Sequence, residues 1–472
     1  MEIEKVLEEA KNLVRPPEEL RKKIEEISQL FLKACEEISA GEAKPILTGS
    51  FARDTWLPEK SEFDIFLVFD SSISRKELEE KGLEIGKKVA EKLGGKWRIE
   101  YAEHPYVRID FRGVEIDIVP CFGVKSAYEI KSAVDRTPFH LAYLKQKLNK
   151  KLCDEIRLLK KFLKVSGLYG ADAKTQGFSG YACELLILYY QSFLNLVKSA
   201  IEWKPGLIID IENLWKGKVE PVQEIFRKQP LIIIDPVDKF RNVAAALSVE
   251  NFYKFKKLCA RFLENPSLDF FREKSVKPIG VSEFRKKVKE RGTEIILIKF
   301  KPPKVVPDIL WPQLRKFAER LQNILEEKKY EFKVLRKDVF TDEKEIALVL
   351  LEMEVFRLPF IQKRVGPPVF NLRDSERFLN KYREEAIVGP YVEGIRWCVE
   401  IRRKFITARD KLFDSLNKPV EILKAKGIPS YIAEEISKGF EILVGNEICK
   451  LIRENKQVGI FLKKYFEKER LV

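Results

Sequence analysis

Hydrophobic positions change their spacing several times along this chain, and each change marks an element. Over residues 18–39, Leu20, Ile24, Ile27, Phe31, Ala34 and Ile38 recur every three or four positions, as on a helix with one buried face. A helix over 1–15 precedes it, and Pro16-Pro17 breaks the two apart. The period then shortens to a strand at 45–48 and a second, DIFLVF, at 64–69. A helix at 75–93 stops at Gly94-Gly95. After WRIEYA, a hairpin joins YVRIDF (106–111) to VEIDIVP (114–120) through Arg112-Gly113. These elements predict a small α/β domain built on a mixed sheet.

From 138 to about 263 the pattern is helical, with runs at 139–165 and 180–203 and a third helix around 238–264. The glycine-punctuated loop SGLYGADAKTQGFSG separates the first two. Residues 265–305 are basic and then strand-like (TEIILIKF), and end in KPPKVVP. Residues 306–385 read as another α/β unit, with a helix at 312–328, strands at 330–337 and 345–354, and a loop RVGPP. GIRWCVEIRRKF then alternates like a strand. TEIILIKF is its expected partner, which makes 306–385 an insertion within one domain.

Composition narrows the class. A chain of 472 residues exceeds one ordinary core and predicts several domains. Apolar runs such as LLILYY are far too short to span a bilayer, so no membrane association is expected. The acidic start MEIEKVLEEA is neither a signal nor a transit peptide, which reads as cytoplasmic. Seven scattered cysteines without CxxC spacing argue against disulfides and thiolate zinc sites, and two histidines exclude histidine-rich metal chemistry. The formal charge of +15 favours a polyanionic partner, nucleic acid rather than lipid; a basic solvated surface is the bland alternative.

Against this background one stretch stands out, GSFARDTWLPEKSEFDIFLVF at 49–69. On a strand, residues i and i+2 share a face, so Glu62 and Asp64 point together while Phe63, Ile65 and Leu67 point into the core. In the hairpin, Asp117 lies on the face opposite Ile116 and Ile118, where it can join the first two acids; Asp110 competes for that place. Clustered carboxylates beside a phosphate-binding turn suit Mg²⁺, which takes hard oxygens from one or two carboxylates and a phosphate. An acid-x-acid strand is more often a solvent face, and Arg108 opposite Asp117 explains that acid as an ion pair. Gly49-Ser50 shifts the balance, because glycine admits close backbone approach to a triphosphate and serine adds a donor.

Gly-Ser, eleven intervening residues, an acid-x-acid strand and a later strand acid resemble the polymerase-beta-type nucleotidyltransferase superfamily. The ordered series GSFARDTWLP, SEFDIFLVF, AEHPYV, VEIDIVPCF, SAVDRTPFH, IRLLKKFLK, GLYGADAKTQGFSGYACELLI and DPVDKFRNVA is similar to the archaeal (class I) CCA-adding enzymes, tRNA nucleotidyltransferases, densely over 45–250 and more thinly beyond. The resemblance implies an α+β multidomain protein: a nucleotidyltransferase catalytic head with a mixed β-sheet (1–137), a helical nucleotide-binding neck (138–263), an α/β body (264–305 and 386–472) and an inserted α/β tail (306–385). It implies template-independent addition of C, C and A to the 3′ end of tRNA from CTP and ATP, with two Mg²⁺ ions and release of pyrophosphate. Glu62, Asp64 and Asp117 would be catalytic and metal-binding, although Asp is commoner in the family where Glu62 stands. Gly49, Ser50, Arg53, Thr137, His140, Lys160, Tyr169 and Arg241 would bind nucleotide. Body and tail would hold the tRNA acceptor stem and T arm through basic stripes such as FRKKVKER (284–291) and IRRKF (401–405), in a homodimer. The alternatives are another template-independent RNA nucleotidyltransferase, of the poly(A) or oligoadenylate polymerase type, and a non-catalytic RNA-binding relative.

Overall fold

The structure, a computed structural model, describes residues 2–101, 103–273, 275–327 and 330–468, in two compact units that divide after residue 274. The last residue of the helix expected to 328 and the terminal 469–472 lie outside the described residues.

The first unit opens with α1 (Glu2–Val14), α2 (Glu18–Ser39), β1 (Ala43–Thr48), the single turn α3 (Gly49–Ala52), β2 (Glu62–Asp70), α4 (Arg75–Leu93), β3 (Lys96–Tyr101), β4 (Pro105–Phe111) and β5 (Val114–Gly123). The five strands form one sheet in the order β1-β2-β5-β4-β3, with β2 and β5 parallel and every other pair antiparallel. The mixed sheet and the 106–120 hairpin are therefore present as expected. Ile24, Ile27 and Phe31 of α2 and Leu78, Ile85 and Val89 of α4 bury one face of this sheet with Phe63, Ile65, Leu67, Ile116 and Ile118. Alternation along β2 and β5 then sends the intervening residues to the other face, away from that core.

The same unit continues with α5 (Thr137–Lys147), α6 (Lys150–Val165), α7 (Gly180–Tyr190), α8 (Phe193–Ala200), β6 (Leu207–Ile209), α9 (Val219–Ile225), β7 (Leu231–Asp235), β8 (Asp238–Asn242) and α10 (Val249–Glu264) around a second core. Both long helical runs are split. Asn149 caps α6 by accepting from Leu152 N at 3.0 Å, and Ser192 caps α8 by accepting from Asn195 N at 3.1 Å. The helix expected from 238 starts only at Val249, because Asp238–Asn242 pairs with β7 as a strand. Asn242 Oδ1 accepts from Ile233 N at 2.8 Å and its amide donates to the Leu231 carbonyl, so this side chain serves strand pairing instead of a helix surface.

The second unit contains α11 (Val281–Arg291), β9 (Glu294–Phe300), α12 (Pro307–Leu325), β10 (Lys333–Thr341), β11 (Ala347–Val355), β12 (Ile361–Pro368), α13 (Leu372–Tyr382), β13 (Ala386–Glu393), β14 (Arg396–Arg402), α14 (Ala408–Leu416), α15 (Val420–Ala425), α16 (Ser430–Lys438), β15 (Glu441–Val444), α17 (Asn446–Glu454) and α18 (Lys456–Phe466). Here the sequence-based pairing is corrected. TEIILIKF (β9) does not pair with GIRWCVEIRRKF (β14); it lies between β11 and β15 in the sheet β10-β11-β9-β15, while β14 is the centre of a separate sheet β12-β14-β13. The reason is burial: Ile295 to Ile298 are all buried, Ile296 and Ile298 against α12 and Ile295 and Leu297 against α17 and α18, so β9 needs a place inside a sheet covered on both faces. The small sheet and α13, not the whole of 306–385, thus stand apart from β9, and α12 and β11 share its core. RVGPP, expected as a loop, ends strand β12. All seven cysteines are buried and free, and no helix among the described residues is long and apolar enough to cross a membrane.

Candidate active site

Asp64 and Asp117 are register partners on the two parallel strands, on the sheet face turned away from the α2/α4 core. Thr48, the last residue of β1, pairs with Asp64 from the other side, which puts the Gly49-Ser50 turn directly at this carboxylate. Gly49 has φ +73°, and a Cβ built there would come within 1.9 Å of Asp64 Oδ2. Only glycine reconciles that backbone with that contact. Gly49→Ala is expected to displace the Asp64 carboxylate and cut turnover by about 100-fold, at a stability cost of about 1–3 kcal/mol; steady-state rates and a melting curve check it.

The three acids do not close around one point. Asp117 accepts a two-pronged ion pair from Arg108, Nε to Oδ1 at 2.6 Å and Nη2 to Oδ2 at 2.6 Å, the cross-strand partner its register suggests. Glu62 lies two residues from Asp64 on the same face, and its carboxylate pairs with Lys60. Among the described residues no three His, Cys, Asp or Glu side chains are gathered closely enough to hold an ion by themselves. Asp110 shares this face but sits opposite Glu115, one pair further along the strands, and is bound by Arg98 Nη1 at 2.8 Å, so Asp117 and not Asp110 is the acid beside Asp64.

Asp64 is the carboxylate without a hydrogen bond: among the described residues no side chain or backbone donor bonds its carboxylate oxygens, and Arg53 and Lys60 act on it only from a distance. Burial, then Asp117, then Glu62 push its carboxyl up to about 7. Hard oxygens under mutual repulsion are the donor set a divalent cation relieves, and Mg²⁺ needs only one or two protein carboxylates where phosphate and water complete its shell. The site therefore fits the metal that the resemblance implies.

A second layer surrounds Glu184, a fully buried acid in the otherwise apolar α7. Its Oε2 accepts from Arg53 Nε at 3.0 Å, and its Oε1 accepts from Lys160 Nζ at 3.1 Å and from Thr55 Oγ1 at 2.5 Å. Burial alone would raise this carboxyl, but Arg53 and Lys160 hold it down to about 2. Lys160 also donates to the Thr55 carbonyl at 3.0 Å and the Thr55 hydroxyl at 2.9 Å, which occupies all three of its N–H groups. Its direct targets are thus Glu184 and the Thr55 turn. Tyr169, held by a bridge to Phe178, brings its hydroxyl within 3.1 Å of where a Cβ on Gly180 would lie, with Lys160 Nζ at 3.7 Å from the same point.

A third group converges on Asp235 at the end of β7. His140 Nε2 and Asp235 Oδ2 lie 2.9 Å apart, Arg241 Nη1 donates to the same oxygen at 2.8 Å, and the Tyr181 hydroxyl donates to Oδ1 at 3.1 Å. The His140 and Tyr181 rings stack at 4.1 Å. Burial opposes ionisation of Asp235, yet His140 and Arg241 keep its carboxyl below the usual range. Thr137 starts α5, the helix that carries His140, and α5 packs on α3 and β1. The structure thus joins His140 to Arg241 and Arg53 to Lys160. Glu184, Asp235 and Tyr181, which hold these pairs, escaped the sequence reading; an acid inside an apolar run, as in CELLILYY and LIIIDP, is the signal that could have found the two carboxylates.

Three family models cover most of the chain: a nucleotidyltransferase domain over residues 27–140, the second domain of tRNA nucleotidyltransferase over 154–272, and the C-terminal domain of CCA-adding enzyme over 291–445. A CCA-adding enzyme of Methanocaldococcus jannaschii is 42% identical over 93% of this chain and 96% of its own. That of Archaeoglobus fulgidus is 39% identical over 95% and 97%, and that of Methanosarcina acetivorans 38% identical over 96% of each. A solved cytoplasmic RNA terminal U-transferase aligns with 58% of this chain and 99% of its own at 14% identity and a TM-score of 0.46. By near full-length identity to these archaeal relatives, the chain belongs to the CCA-adding enzyme family.

Proposed function

We propose that this protein adds C, C and A, without a template, to the 3′ end of tRNA from CTP and ATP, releasing pyrophosphate in the cytoplasm. The observation that carries the reading is the pairing of Asp64 with Asp117 on adjacent parallel strands beside a glycine that alone fits against Asp64. Asp64, Asp117 and Glu62 would hold two Mg²⁺ ions, which when bound lower the pKa of the attacking hydroxyl and neutralise the triphosphate. Ser50 and Arg53 at the same turn offer a hydroxyl and a guanidinium to the triphosphate oxygens. Lys160 supports that turn through Thr55 and Glu184, and Tyr169 closes the pocket on its side. Asp235 occupies one end of Arg241, whose remaining N–H groups face the incoming base as a template strand otherwise would; Thr137 and His140 line the same wall.

The head (1–137) and neck (138–263) would form the catalytic half, and the body with its tail would grip the acceptor stem and T arm through their basic surface, in a homodimer. The tail is best drawn around the β12-β14-β13 sheet and α13. Incorporation on a tRNA lacking its terminal triplet, with each nucleotide offered singly, tests the reading. CTP alone should extend the RNA by two residues, and ATP should add one only after them. A homopolymeric A tail would instead assign the chain to the poly(A) or oligoadenylate type, and no incorporation with intact tRNA binding would make it a non-catalytic relative.

A further inference from the structure

The second unit buries a cation that no carboxylate of the described residues pairs with. Lys411 of α14 is 6% exposed, yet among the described residues no carboxylate pairs with its ammonium. Nζ donates to Ser415 Oγ at 3.0 Å, one turn along the helix, and otherwise faces the rings of Tyr330 at 4.1 Å and Phe405 at 5.3 Å from their centroids. Lys426, which caps α15, reaches the same residue, Nζ to the Ser415 carbonyl at 3.4 Å. Its ammonium is drawn below the ordinary lysine range by burial, then by Lys411, then by Lys418. Arg320 of α12 donates through Nε to the Lys426 carbonyl, adding a fourth cation. The neighbouring acid, Asp414, pairs at 3.5 Å with Lys404. Lys418 and Lys426 keep part of their surface in solvent, so an anion can reach the cluster from outside.

A buried ammonium is normally paired, because desolvation disfavours its charged form. One hydroxyl and two ring faces stand where a carboxylate usually would, and Lys426 reaches the same serine. An anion supplied by a partner would balance the cluster. The ligand must be compact enough to meet several point-like ammonium groups at once, which a tetrahedral phosphate is.

We infer that Lys411 and Lys426, which meet at Ser415, form with the nearby Lys418 a binding site for one phosphodiester of the RNA backbone. The site rests on the reading of the protein as a tRNA-binding enzyme and names a point where the second unit grips that RNA. Full-length protein and the variants Lys411→Met and Lys426→Gln test it by tRNA binding across a salt series. Methionine keeps an unbranched stem between Tyr330 and Phe405 while removing the charge. The expected result is a log K against log[salt] slope shallower by about 0.7–0.9 in each variant, and about three- to tenfold weaker binding near 0.15 M salt. Lys411→Met should melt at or above the wild-type temperature, which separates lost contact from lost folding; if it does not fold, Lys426→Gln and Lys418→Gln carry the comparison. Slopes equal to wild type in folded variants overturn the site and leave the enzymatic reading standing, since wild-type binding and incorporation are read separately. Inorganic phosphate that raises the melting temperature of wild type but not of Lys411→Met, with tRNA binding unchanged, would show a free-anion site and refute the RNA assignment. A wild type that binds no tRNA refutes site and reading together.

Discussion

Asp64→Asn should reduce nucleotide incorporation by about 1,000-fold, or ~4 kcal/mol of transition-state stabilisation, while tRNA binding stays at the wild-type level. Asparagine keeps the shape and removes a charge that Asp117 and Glu62 crowd and that Arg53 and Lys60 offset only in part. Stability should move the opposite way. The folded-state carboxyl is pushed up to about 7 from an unfolded value near 3.8, so the native state binds the extra proton between them. That group therefore costs nothing at low pH, and its penalty grows as pH rises from about 4 through about 7. Without divalent cation, wild type should lose stability across that window, and Asp64→Asn should lose less. Adding Mg²⁺ should restore the wild type selectively. Thermal melts at several pH values, with and without Mg²⁺, give the comparison; activity retained in Asp64→Asn would end the metal assignment.

Removing the charge of Glu184 should be the most destabilising single change in the first unit. Glu184→Gln leaves Arg53 and Lys160 as buried cations without a counter-ion, at a cost of about 3–5 kcal/mol, or a melting temperature lower by about 10 °C. Because the Glu184 carboxyl is held at about 2 against 4.5 unfolded, its contribution is fully present above about 4.5 and is lost as pH falls through about 2. Wild type should therefore show an acid-side loss of stability that the variant lacks. The KM for CTP should rise as well, since Arg53 loses the partner that fixes its guanidinium beside the Ser50 turn. A double change, Lys160→Met with Glu184→Leu, should recover much of the stability without recovering the KM. Recovery of both would show the cluster to be a packing device with no part in nucleotide binding.

Local pattern and tertiary context contributed differently to the two halves of the site. Alternation alone places Glu62 and Asp64 on one face, because a strand has period two wherever it lies. The hairpin register of Asp117 with Arg108 follows from a two-residue turn, which leaves little freedom in pairing. Both are short-range consequences. Glu184 and Asp235 were missed for the opposite reason: each sits in an apolar run, and each meets side chains more than 50 residues away in the chain, Arg53 for Glu184, and His140 and Tyr181 for Asp235. The same limit explains the mispaired strands. GIRWCVEIRRKF and TEIILIKF both read as strands, but only the packed core shows that TEIILIKF needs an apolar neighbour on each side.

The sequence by itself determined that the head carries a mixed sheet, that an acid-x-acid strand follows a Gly-Ser turn, and which family the ordered motifs belong to, since each depends on residues close together in the chain. Only the tertiary structure decided that Asp64 faces Asp117 across parallel strands, that Glu184 gathers Arg53 and Lys160 and Asp235 gathers His140 and Arg241, and how the second unit divides into two sheets. Parallel pairing and buried ion clusters join segments with no sequence proximity, and their energies depend on which surfaces exclude water together.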